Sequence, residues 1–187
     1  MLERPSHAKA HPRDSEKTRA RILQAAIELF SASSFDMVRS RDIANKAGID
    51  VALINRYFGS KKELFIAALE VISKVRPDLD SEDVEKLFCN DFAKRLNGEE
   101  RKNTTTAVRL VAFSASCTEV APLLQKLITD EIDRLTDKLG AEDKTPATAF
   151  LAYHIGMHTL MQMLSDEDRA KLKLETLLEP IRAISPK

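Results

Sequence analysis

Hydrophobic residues recur along most of this chain at the three- and four-residue spacing of amphipathic helices. The spacing predicts one helix over about residues 15–32 and two short helices between residues 40 and 58. Longer helices are predicted over about 60–76, 81–96, 103–114, 119–139, 145–164 and 165–184, the last disturbed at Pro180. No strand-like alternation and no internal repeat stand out. The pattern therefore predicts an all-α protein of about nine helices.

The region from residue 40 to residue 65 contains two short helices separated by a tight turn. Ile43, Ala44 and Ala47 lie on one face of the first, and the two alanines let a crossing helix approach closely. Gly48 follows, where a helix-ending residue often takes a positive φ that glycine tolerates without steric cost. Asp50 is expected to accept hydrogen bonds from the first amides of the next helix. This is the pattern of a helix-turn-helix, so the question becomes which DNA is bound.

The second short helix is expected to present an outer face to DNA. Ile54 and Phe58 repeat at i, i+4 and form its buried stripe. The residues left on the outer surface are Val51, Ala52, Leu53, Asn55, Arg56 and Tyr57. Residues 60–63 read S-K-K-E, a capping box that opens the following helix. The free amides and two lysines of this helix start suit a phosphate.

Three motifs in this region together carry a family resemblance. They are T-R-x-R-I-L-x-A-A-x-E-L-F at 18–30, R-D-I-A-x-x-A-G-I at 41–49 and F-G-S-K-x-E-L-F at 58–65. In this order and at these separations, they make the segment from Thr18 to about Glu70 closely resemble the DNA-binding domain of the TetR (tetracycline repressor-like) family. The resemblance implies a three-helix DNA-binding head that the fourth helix joins to a helical body.

The expected DNA contacts all lie on this head. Arg41, at the start of the second helix, suits a guanine edge. The other expected base contacts are Val51, Ala52, Leu53, Arg56 and Tyr57, of which the apolar ones suit thymine methyl groups. Lys61 and Thr18 are expected to bind phosphate, which fixes register more than it specifies sequence. The family often has tyrosine at Asn55, so a phosphate contact there is expected to be shorter or absent. Asp50 replaces a usual serine or threonine and adds a negative charge near the DNA.

Charge is unevenly distributed, although the whole chain has a net charge of zero. Residues 1–62 hold 12 Lys and Arg against 7 Asp and Glu, whereas residues 63–187 hold 17 against 22. A basic head on an acidic body fits a protein with one DNA-facing end, although ordinary charge variation is the alternative explanation. We predict a flexible basic tail at 1–14, a DNA-binding domain at 15–76 and a helical dimerisation and ligand-binding domain at 77–187.

The predicted helix around residues 150–164 is almost free of charge. One face, which we predict to be a dimer interface, consists of Phe150, His154, Met157, His158, Met161 and Leu164. A second face is apolar as well, and a helix that is apolar most of the way round must be buried on both sides. The resemblance implies a homodimer joined by its last two long helices and bound to a two-fold DNA site. A fully internal helix of a monomer is the alternative.

The sequence gives few signals for a bound metal ion or a small-molecule ligand. His154 and His158 have the i, i+4 spacing of two metal ligands, and Cys117 is the one thiol we would nominate as a third. Packed interface histidines are far more common, so we predict no metal. Cys89 and Cys117 fit no redox spacing and are expected to be core thiols. The resemblance implies a small-molecule effector among the body helices. Its candidate lining residues, equally plausible as core, are Phe88, Phe92, Arg109, Phe113 and Tyr153.

The sequence contains no glycine-rich phosphate loop, no G-x-S-x-G and no H-E-x-x-H, so we predict neither an enzyme nor a cofactor. No segment reaches the length of a membrane span and no apolar signal core is present, so a cytoplasmic location is expected. We predict a transcriptional regulator, most simply a repressor, that binds a palindromic operator as a homodimer and is released by a small molecule. The alternatives are a helix-turn-helix regulator without an effector pocket and a structural or adaptor protein of the same fold.

Overall fold

The computed structural model describes residues 12–74 and 102–184, most of which are helical. The helices are α1 (Pro12–Phe30), α2 (Ser40–Ala47), α3 (Ala52–Phe58), α4 (Lys61–Lys74), α5 (Lys102–Ser114), α6 (Ala121–Leu139), α7 (Thr145–Met163), α8 (Asp166–Ala170) and α9 (Leu174–Ile184). These two ranges contain no strand, and the predicted all-α fold is confirmed. The helix predicted over 81–96 and the tail before residue 12 lie outside the described residues.

The C-terminal segment forms two helices where the periodicity predicted one. α8 opens at Ser165, whose Oγ accepts the amide of Asp168 at 3.1 Å, and it ends at Ala170. Leu172 and Leu174 both pack against the core of the body. Residues two apart in a continuous helix point about 200° away from each other. The break between α8 and α9 therefore lets both leucines reach the same core.

Three phenylalanine rings form the centre of the head. Phe30 at the end of α1 stacks on Phe35 with ring centroids 5.8 Å apart. Phe65 of α4 meets these two rings edge-on, with centroids 5.0 and 5.2 Å away. All three rings are fully buried. Such aromatic pairs add about 0.5–1.5 kcal/mol each beyond the area that they bury, so the cluster fixes α1, the loop after it and α4 to one another.

The turn between α2 and α3 is held by backbone and side-chain bonds. Gly48 takes a φ of 63°, and its amide and that of Ile49 close the last turn of α2. Arg21 of α1 reaches across and donates to the carbonyls of Ala47 and Gly48. The Asp50 carboxylate accepts the first amide of α3 at 2.8 Å. The predictions made for Gly48 and Asp50 are confirmed, and α3 is held firmly against the rest of the head.

The core of the head continues without a break into the body. Leu110 of α5 belongs to the same buried cluster as the head residues, and so do Cys117, Val120 and Leu124 after it. Burial of apolar surface contributes about 25 cal/mol for each Å² removed from water. The stability of the head therefore depends on α5 and on the residues that follow it.

Directional bonds reinforce this junction at residues 31–39, the segment between α1 and α2 that we call the clamp loop. Ser114, at the end of α5, is fully buried, and its Oγ accepts the Phe35 amide at 3.1 Å. The Cys117 thiol donates to the Asp36 carboxylate at 3.1 Å. The end of α5 is thus bonded to the head through the loop as well as packed against its core.

A second buried cluster joins α6, α7 and α9. Its members are Leu135, Leu139, Ala147, Phe150, Met157, Met161, Leu178 and Ile181. The stripe of α7 that was predicted to face a partner subunit thus lies largely inside the chain. Phe150, Met157, His158 and Met161 are buried, and His154 and Leu164 are half-buried. This corrects the sequence analysis, and the reason is that periodicity cannot tell which of two apolar faces of one helix packs inside the chain.

No helix in the described ranges is long and apolar enough to cross a membrane.

Replacing Ser114 by alanine tests the bond at the clamp loop. Ser114→Ala is expected to lower the free energy of unfolding by roughly 1–3 kcal/mol, because the Phe35 amide is left buried without this partner. Ser31→Ala is the matched control, since the Ser31 hydroxyl bonds to the Glu28 carbonyl in an exposed position. Its effect is expected to stay within about 0.5 kcal/mol. Urea denaturation at one protein concentration measures both, and equal stabilities would contradict the bond.

Candidate nucleic-acid interface

α3 has one buried face and one exposed face. Ile54 is completely buried and Phe58 is 9% exposed, as the stripe prediction requires. The exposed residues at the start and on the outside of the helix are Val51, Ala52, Asn55 and Arg56. Leu53 and Tyr57 were predicted to lie outside with them, but they are half-buried, and Tyr57 packs against the head core. The outer face is therefore narrower than the sequence indicated.

Two arginines belong to this surface. Arg41 lies in the first turn of α2 and Arg56 lies on α3, and both are exposed. Neither forms a hydrogen bond or ion pair with another residue of the described ranges. A guanidinium carries five N–H donors in a fixed fork, which matches the two acceptors of a guanine edge in the major groove. These two side chains thus keep their donors for a ligand.

Lys61, which was predicted to bind phosphate, is turned toward the protein. Its Nζ donates to the carbonyls of Phe35 and Val38 at 3.0 and 3.2 Å and lies 4.0 Å from the centre of the Phe35 ring. An ammonium has three hydrogens, so two of them are used inside the head. Lys62, the next residue, is exposed and is the outward cation of this helix start. A phosphate contact of Lys61 stays a prediction.

Thr18, the second predicted phosphate contact, is half-buried on α1. Its Oγ1 donates to the Asp14 carbonyl at 2.8 Å. A hydroxyl has a single hydrogen, so donation to a phosphate requires this bond to be given up. The neighbouring Arg19 is exposed, and its guanidinium carbon lies 4.8 Å from the centre of the Phe58 ring. Arg19 is therefore a cation on the same helix that the predicted contacts did not include.

The body contains a cavity of about 380 Å³ between α5 and α7. Its described walls are Val108, Arg109, Ala112, Phe113, His158, Thr159, Gln162 and Met163. Arg109 and Phe113 had been named as candidate lining residues, and both border the cavity. Tyr153, also named, does not border the cavity. Its hydroxyl donates to the Leu177 carbonyl at 2.5 Å, and burial raises the pKa of this hydroxyl. Phe88 and Phe92 lie outside the described residues.

The two histidines of α7 have different surroundings. Their ring centroids are 6.2 Å apart and the rings meet edge-on. His158 is fully buried, and its Nδ1 lies 3.2 Å from the amide nitrogen of Gln162. Cys117, the nominated third ligand, is instead bonded to Asp36. In the two described ranges, no group of three or more histidine, cysteine or acidic side chains has a metal-holding arrangement.

Sequence reasoning did not name several residues of these sites. Among them are Ser114, which bonds to the clamp loop, and Gln162 and Met163, which border the cavity. Isolated polar or flexible residues at the end of a helix leave no periodic signal. One available signal was that Gln162 follows His158 by four residues and therefore lies on the same side of α7.

Comparison with known proteins relates this architecture to a family. The profile described as "Bacterial regulatory proteins, tetR family" matches residues 22–68, which include α2 and α3. The transcriptional regulator RutR of Escherichia coli is 33% identical over 128 residues, which make up 64% of this chain and 57% of that protein.

The transcriptional repressor NicS of Pseudomonas putida is 41% identical over 58 residues, or 31% of this chain and 27% of that protein. The chain thus spans at most 57% of the length of these two curated relatives. NalD, the secondary repressor of the MexAB-OprM multidrug efflux pump in Pseudomonas aeruginosa, has a similar fold. The two structures superpose with a TM-score of 0.64 at 24% sequence identity, and the superposition covers 91% of this chain and 97% of the NalD chain. Over residues 22–68 the chain thus matches the tetR family of bacterial regulatory proteins, and its fold is similar to that of NalD.

Proposed function

We propose that the protein is a DNA-binding transcriptional regulator that represses its target genes as a homodimer and is released by a small molecule. The exposed outer face of α3, with Arg41 and Arg56, which have no partner in the described ranges, is the observation that carries this proposal. A major groove admits one α-helix, and the capped turn at Gly48 holds α3 in one orientation. RutR and NicS, which the chain resembles, are named as transcriptional regulators.

The outward face of α7 supports the homodimer. Ala152 and Gly156 are exposed on this face, and Leu160 and Met163 are 54% and 77% exposed. A Cβ added at Gly156 would meet no atom within 4 Å, so the described chain does not require glycine there. Glycine in a helix costs about 1 kcal/mol relative to alanine. A second helix crossing closely at Gly156 accounts for both the glycine and the exposed apolar side chains, and we propose this face, in place of the buried stripe, as the interface.

The path from the cavity to the head supports control by a small molecule. α5 borders the cavity with Arg109 and Phe113, and it ends at Ser114. Ser114 bonds to the Phe35 amide, and Lys61 of α4 bonds to the Phe35 carbonyl. A ligand that moves α5 therefore acts on the clamp loop directly. To change DNA binding, the ligand must have different affinities for the two positions of the head.

Two arginine substitutions test the DNA-binding surface. Arg41→Ala and Arg56→Ala are each expected to weaken binding to the preferred duplex by about 1–3 kcal/mol and to relax the base choice at one position. The preferred duplex is found by selection from random sequences, and affinities are then measured over a salt series. Lys126→Ala is the control, because Lys126 is an exposed residue of α6 whose ion pair with Asp130 lies outside the head. Selection of no motif, with weak binding that falls steeply as salt rises, would contradict sequence-specific regulation.

Substitutions on α7 test the homodimer. Leu160→Glu is expected to raise the dimer dissociation constant at least about tenfold, because the interface would bury an unpaired charge. Gly156→Ala is expected to stabilise the helix and yet weaken the dimer. Gln125→Glu, on the exposed surface of α6, adds the same charge outside the proposed interface. Sedimentation over a range of protein concentrations measures all three. An unchanged dissociation constant for Leu160→Glu would place the interface elsewhere.

A further inference from the structure

Arg109 has an unsatisfied donor beside the body cavity. Its Nε is buried and has no hydrogen-bond partner in the part of the chain that the structure describes. Its guanidinium carbon lies 5.5 Å from the centre of the Phe113 ring, which also borders the cavity. A buried N–H group and a positive charge both favour a partner that accepts hydrogen bonds and carries negative charge.

The other described walls of the cavity supply no such partner. His158 Nδ1 lies 3.2 Å from the amide nitrogen of Gln162, and neither of these side chains carries a negative charge. Val108, Ala112 and Met163 are apolar. Arg109 is the one arginine, lysine or acidic side chain among the lining residues of the described ranges. The volume of about 380 Å³ lies at the small end of the range of ligand sites.

We propose that this cavity binds a small aromatic carboxylate as its ligand, with the carboxylate on Arg109 and the ring beside Phe113. The two N–H groups of the guanidinium fork match the two oxygens of a carboxylate, which also carries a negative charge. A neutral amide and an amine lack both the second oxygen and that charge. A flat apolar ring suits the apolar walls and the exposed edge of Phe113, which is 40% exposed. One cation balances a monoanion, so a doubly charged phosphate ester fits less well. This inference rests on the proposed function, in which the body holds an effector.

Calorimetry on the full chain without DNA tests the ligand class. The probes are benzoate and 2-naphthoate, and the matched neutral compound is 2-naphthamide, which has the same ring and nearly the same shape. We expect saturable binding of 2-naphthoate at one site per chain and binding of 2-naphthamide at least about tenfold weaker. Equal affinities for the acid and the amide would overturn the proposal, and so would the absence of saturable binding for both carboxylates.

Substitutions at Arg109 test the site. Arg109→Gln is expected to weaken 2-naphthoate at least about tenfold and to leave 2-naphthamide unchanged, whereas Arg109→Lys keeps the charge, loses the fork and is expected to bind severalfold more weakly than the parent. Lys126→Gln removes one exposed positive charge from α6 and is expected to change nothing. Thermal melts establish that each variant is folded, and Arg109→Lys carries the test if Arg109→Gln does not fold. Parental affinity for 2-naphthoate in both folded variants would overturn the proposal.

A separate assay distinguishes failure of this inference from failure of the proposed function. Binding to the selected duplex is measured with and without saturating 2-naphthoate. Carboxylate binding that follows Arg109 but leaves DNA affinity unchanged supports the ligand class and removes effector control from the proposed function. DNA release by 2-naphthamide as strongly as by 2-naphthoate overturns the ligand class and leaves effector control in place.

Discussion

The position of the head on the body depends on the bonds of one loop residue, Phe35. Its ring packs with Phe30 and Phe65, its amide donates to Ser114 of α5, and its carbonyl accepts the Lys61 ammonium of α4. The helices α1, α4 and α5 are therefore all held by contacts to the atoms of this one residue. Hydrogen bonds are directional and buried rings are closely packed, so α5 cannot move far without carrying the clamp loop with it. In the proposed function, that connection links the DNA-facing surface of the head to the cavity of the body.

Local patterns allowed much of the head to be predicted from the sequence. The end of α2 at Gly48 and the cap at Asp50 follow from the conformational preferences of single residues, and both occur as expected. Lys61 shows the limit of such reasoning. Its place at the start of α4 predicts a phosphate contact, which stays a prediction, but two of its ammonium hydrogens bond to carbonyls more than twenty residues earlier in the chain. The direction of a long side chain is set by tertiary partners, which the local sequence does not contain.

α7 shows the same limit at the scale of a whole helix. Met161 faces the body core, His158 lies at the cavity, and Leu160 is exposed. The core and the cavity favour uncharged side chains, and so would the subunit interface that we propose at Leu160, which accounts for the near absence of charge in the segment. It also explains why periodicity could not tell the inner face from the outer one. Because Met163 is exposed and also borders the cavity, the proposed subunit interface and the proposed ligand site adjoin each other.

The continuous core has a consequence for how the chain can be divided. Leu110, Val120 and Leu124 fill space in the same cluster as the head residues. A fragment that ended after α4 would lose those side chains and would expose the apolar surface that they cover. Such a surface favours association between fragments and loss of fixed packing. The packing of the head therefore depends on α5 and the residues that follow it, and grafting α1 to α4 onto another body would require the graft to include an equivalent of α5.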